Sequence, residues 1–79
     1  MGELKRISWK TLSDGSAECI LEVPTINIAK RIEQKYTELR HFKVETKNNR
    51  IIIIYPPDWA DIPEEIDNEM DTIESWINE

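Results

Sequence analysis

One cysteine, two glycines and one histidine stand in 79 residues, and the last 22 positions hold no lysine or arginine. Each scarcity excludes something. A lone Cys19 can form neither an internal disulfide nor a thiolate zinc site, so neither staple of many small domains is at hand. Stability has to come from packing or from a partner subunit. With glycine only at positions 2 and 15, no glycine-rich loop can cradle a phosphate. His41 stands without a histidine, serine or cysteine arrangement around it that suggests nucleophilic or general acid-base work. The longest apolar run, 51–55, is far short of the ~20 residues a membrane helix needs. No basic-then-apolar leader opens the sequence. Met1-Gly2 would suit a myristoyl signal, but Arg6 occupies the place of the required Ser or Thr. These absences lead us to expect a cytoplasmic, non-catalytic chain, with no membrane segment, no cofactor and no bound metal. A chain of this length builds one core, so 1–79 is expected to be a single domain.

What is present is patterning. Residues 4–12 place Ile7, Trp9 and Thr11 on one alternating face, and Ala17, Cys19, Leu21 and Val23 alternate with Glu18, Ile20 and Glu22. Between the two runs, Asp14-Gly15 supplies a hairpin turn. After Pro24, Thr25 or Asn27 can cap a helix whose stripe is Ile28, Ile32, Tyr36 and Leu39, ending near His41. Phe42, Val44 and Thr46 then alternate with Lys43, Glu45 and Lys47, and Asn48-Asn49 turns the chain into 50–55. The four consecutive isoleucines there point to both sides of a sheet, which predicts that both sides are covered. Pro56-Pro57 stops that strand. Asp61 and Glu64 have capping-box spacing, and Ile62, Ile66, Met70, Ile73 and Ile77 make the stripe of a second helix. The expected fold is α+β: a ββαββα order with a four-stranded antiparallel sheet and two amphipathic helices.

Charge is segregated. Residues 1–57 hold all ten basic and seven acidic side chains, a net of +3, while 58–79 hold nine acidic ones and a net of −9. The pairs Glu65/Glu69 and Asp67/Asp71 set like charges at i, i+4, each costing an isolated helix ~0.2–0.5 kcal/mol. Glu74 and Glu79 oppose the helix dipole at the far end. Something must compensate, and three readings are open. The acids form a solvated face while the apolar stripe packs on the sheet, partly matched by Arg31, Lys35, Lys43 or Lys47. Alternatively the acidic helix meets a basic protein, with the apolar stripe or Trp76 as anchor. Third, the acids hold a divalent cation, although the stretch lacks the alternating ligands and central glycine of a calcium loop.

The reading adopted is a small protein-interaction or regulatory module that binds a basic partner through 58–79. Such a module would suit an inhibitor that occupies another protein's nucleic-acid site. Its contact residues are expected to be Trp59, Asp67, Asp71, Glu74 and Trp76. Trp9 is expected in the core, and Trp59 either lids the core or anchors an interface. The alternative from another class is nucleic-acid binding through Arg31 and Lys35 on the first helix, though Glu33 and Glu38 interrupt that patch. A purely structural, homo-oligomerising domain is a further alternative. A homodimer would pair strand 50–55, taken as an edge, with its copy, or use the C-terminal helix.

Overall fold

The computed structural model describes residues 4–78. Its elements are β1 (Lys5–Thr11), β2 (Ala17–Glu22), α1 (Ile26–Leu39), β3 (Lys43–Lys47), β4 (Arg50–Tyr55), α2 (Pro57–Ala60) and α3 (Pro63–Ile77). The expected ββαββα order is present, with one short helical turn, α2, added before the last helix. All four strands pair antiparallel in the order β1-β2-β4-β3.

Local chemistry accounts for the element ends. Gly15 takes φ 91°, the left-handed conformation the first hairpin requires, and the Asp14 carboxylate accepts bonds from the Ser16 amide and hydroxyl. Those bonds, the hydroxyl's foremost, lower the Asp14 pKa below the ordinary 3.8. Of the two candidate caps for α1, Thr25 is the one used: its Oγ1 accepts from the Ile28 amide at 3.2 Å. The helix stops at Leu39 because His41 turns left-handed, φ 61°, and its amide reaches back to the Tyr36 carbonyl at 2.8 Å. The expected capping box at Asp61 is not what starts α3. Pro63 begins that helix and Ile62 is its cap residue, with no side-chain bond, since α2 already occupies the preceding residues.

Register decides what faces inward. β2 pairs β4 with Ala17 opposite Tyr55, Cys19 opposite Ile53 and Leu21 opposite Ile51. These side chains are buried together with Ala29, Ile32 and Tyr36 of α1 and Ile66, Ile73, Trp76 and Ile77 of α3. Full burial of each such aliphatic side chain contributes ~1.5–3 kcal/mol. Burial also pushes the Cys19 thiol up to about 11, leaving it a small hydrophobe inside the core.

Two expectations are corrected here. The isoleucine strand is not covered on both sides: both long helices pack on the Ile51/Ile53 side, and Ile52 and Ile54 are half-buried on the open face. Ile20 joins them across the register, and charged Glu18, Glu45 and Lys43 share that face. A β-branched residue fits a pleated surface even when half exposed, which is why four in a row need not mean two cores. Nor is 50–55 an edge. β4 lies between β2 and β3, so its backbone is paired on both sides and cannot join a copy by edge pairing. The edges are β1 and β3.

Candidate acidic recognition face

The acidic helix α3 is docked on its own sheet, and three cations, two on α1 and one at its C-cap, hold it there. The Arg31 guanidinium donates to the Trp76 carbonyl at 2.8 Å and to the Ile77 carbonyl at 3.4 Å. A cation is thereby placed on the negative end of the helix dipole, where Glu74 would otherwise leave the charge unbalanced. Lys35 sits 5.6 Å from the centre of the Trp76 ring. Arg40, at the C-terminal end of α1, bonds Glu69 through two nitrogens, Nε at 3.3 Å and a terminal nitrogen at 3.2 Å. Arg31 and Lys35, the residues of the nucleic-acid alternative, therefore serve to dock α3.

Glu69 is the residue that sequence reasoning missed. Its i, i+4 spacing makes it a repulsive partner of Glu65, yet only 3 % of its side chain is exposed, against 32 % for Arg40. Its spacing held the signal, because 66, 69, 73, 76 and 77 share one buried helical stripe. Around it lies an aromatic and hydroxyl cluster. Tyr36 and Tyr55 share a hydrogen bond of 3.0 Å, and Tyr36 meets the Trp76 ring edge-on at 5.5 Å. Burial first, then the neighbouring Tyr55 and the Glu69 carboxylate, push the Tyr36 hydroxyl far above its ordinary pKa. Tyr55 is also raised, again mainly by burial. The guanidinium of Arg40 lies 5.7 Å from the Trp59 ring centre, and the bonds to Glu69 raise its already high pKa further.

The expected contact residues divide. Asp67, Asp71 and Glu74 are all exposed, and their i, i+4, i+7 spacing keeps them on one outward face of α3. Asp58, Asp61, Glu64 and Glu65 are exposed as well. Trp76, in contrast, is 8 % exposed and belongs to the core. Trp59 is half-buried, edge-on to Phe42 at 5.3 Å. It also walls a cleft of about 230 Å³ with Asp58, Ile62 and Glu65. Lys43 and Lys47, which the charge balance offers as matches for the acids, lie on β3 opposite Ile54 and Arg50, on the open face of the sheet away from the helices.

Trp9 departs from expectation in the other direction. It stacks on Tyr55 at 5.9 Å, but 37 % of it is exposed, because β1 extends beyond the helices and all seven of its residues are exposed. With Arg6, Ala60, Pro63, Ile66 and Asp67 it lines a groove of about 420 Å³ between β1 and the start of α3.

Among the described residues no group of three or more His, Cys, Asp or Glu is placed to hold a metal ion, and no helix is long and apolar enough to cross a membrane. Comparison with protein families, with curated proteins and with solved structures finds no match.

Proposed function

We propose that the chain is a non-catalytic, cytoplasmic interaction module whose acidic outer face binds a basic protein, in the manner of an inhibitor or regulator. The observation that carries this reading is the cleft at Trp59. An indole wall flanked by the Asp58 and Glu65 carboxylates and by Ile62 suits a lysine or arginine side chain, apolar along its stem and cationic at its tip. Asp67, Asp71 and Glu74 continue the negative surface along α3. Recognition then works through charge and the Trp59 cleft. It does not use the apolar stripe or Trp76, which are spent on the chain's own core. A displayed acidic face gives partner choice and fast association more than raw affinity, and weakens as salt screens it.

The test compares wild type with Asp67→Asn/Asp71→Asn/Glu74→Gln and with Asp58→Asn/Glu65→Gln in nuclease-treated pull-downs at low and high salt. A basic protein retained by wild type at low salt and lost from both variants is the expected result. Equal capture by all three proteins would sink the reading.

A further inference from the structure

The geometry points to a second docking site, which adjoins the acidic face at Asp67: the free edge of β1 takes up an extended peptide in which apolar and acidic side chains alternate. Among the described residues β1 pairs with β2 alone, so its other side presents an unpaired row of amides and carbonyls. An added strand satisfies such a row with main-chain hydrogen bonds, and pockets beside the strand choose its side chains.

The register says what those side chains should be. Lys5 stands opposite Glu22, Ser8 opposite Ile20 and Lys10 opposite Glu18, which places them on the open face of the sheet. Arg6 and Trp9 stand opposite Leu21 and Cys19, on the face that carries the helices. The irregularity between Arg6 and Ser8 absorbs Ile7, itself 41 % exposed. A strand laid along β1 would alternate in the same way. On the helix side its residues meet the groove of Trp9, Ala60, Pro63 and Ile66, about 420 Å³, open to solvent and lined also by Arg6 and Asp67, whose apolar part takes an apolar side chain. On the open side its residues meet Lys5 and Lys10, which take carboxylates.

The same lysines argue against a second copy as the occupant. An antiparallel pairing of β1 with a second β1 about its centre brings Lys5 or Arg6 of one copy against Lys10 of the other, a like-charge contact by which edge strands resist self-association. β3 is the poorer edge, because α1 packs against it and Thr46 is bonded to Glu33 at 3.0 Å, and the cavity at its Lys43 end is lined by Arg40, His41 and Lys43, which suit no apolar side chain.

The experiment titrates the isotope-labelled full chain with a capped peptide as long as β1, seven residues, alternating glutamate with valine. Amide resonances and exchange protection are followed, with a peptide carrying lysine for glutamate as control. The expected outcome is saturable change confined to 5–11 and 60–67, new protection along β1, and little response to the lysine peptide. Lys5→Glu/Lys10→Glu alters only exposed charge and should weaken binding about tenfold with a native spectrum. Trp9→Ala should abolish it, and the charge-reversed variant keeps the test valid if that protein unfolds. Absence of any change at the highest soluble peptide concentration overturns the proposal. So does equal response to the lysine peptide, change at β3 instead of β1, or a dimer with protected β1 in the absence of peptide.

Discussion

Raising the pH toward 11 should strongly destabilise this protein, and should do so through three buried protons. Tyr36 and Tyr55 are the only tyrosines in the chain, both are fully buried, and they are bonded to each other. Both hydroxyls have folded pKa values raised above the ordinary 10 by burial. Cys19 is raised from 9.0 to about 11 for the same reason. A group with a raised folded pKa contributes stability that is complete below its unfolded pKa and is lost as pH climbs through the folded value. The window therefore opens near pH 9 for the thiol and near pH 10 for the tyrosines. Each group removes up to about 1.4 kcal/mol per pH unit while the unfolded chain alone is ionised. At pH 11 the loss is roughly 1–2 kcal/mol for each tyrosine and about 2 for Cys19, hence about 5 in all. Typical stability for a chain of this length is about 4–12 kcal/mol, so the loss takes up roughly half of it and reaches the transition for a stability at the lower end. The assay follows tyrosinate absorbance and circular dichroism together through an alkaline titration, with urea unfolding at pH 8, 10 and 11. Tyrosinate should appear only as secondary structure is lost, and Tyr55→Phe should flatten the fall in stability between pH 10 and 11. Tyrosinate forming near pH 10 in a protein with native dichroism would refute the reasoning.

Arg40→Met keeps most of the aliphatic stem but leaves Glu69 buried without its cation, and should cost ~2–4 kcal/mol by urea denaturation at neutral pH. Adding Glu69→Leu to that variant should return most of the loss, since an apolar pair replaces the ion pair; no recovery would mean that the packing, not the charge, was lost. Gly15→Ala should cost about 1 kcal/mol, arising from backbone strain at φ 91°, because a Cβ there would meet Pro57 at an ordinary 3.5 Å. Arg31→Met removes the donor on the Trp76 and Ile77 carbonyls and should fray the end of α3, seen as faster amide exchange over 74–78 with the sheet unchanged.

Much of the candidate site could be read from spacing, and the failures have identifiable causes. Asp67, Asp71 and Glu74 fall outside the stripe of Ile66 and Ile73, so periodicity places them outward and the structure agrees. Trp76, expected as an interface anchor, is inside the core, because the aromatic cluster around Tyr36 widens the buried arc of α3. Glu69 was invisible for a different reason. A carboxylate on a helix is ordinarily solvated, and what makes this one buried is Arg40, 29 residues earlier, which no local pattern connects to it. The cations of α1 show the same limit. Arg31 and Lys35 read as a basic patch in one dimension and act as the clamp on α3 in three.

What the residues determined by themselves were the elements: strands from alternation, the first turn from Asp14-Gly15, the helices from their three- and four-residue spacing, and the segregation of negative charge into the last segment. These depend on neighbours within a few positions, so they are legible locally. Only the tertiary structure decided that β4 is interior, that both long helices lie on one side of the sheet, and that β1 is left as an open edge with Trp9 beside a groove. Those outcomes depend on strand order and on which helix covers which strand, and the alternation along a single strand is the same whichever neighbour it pairs with.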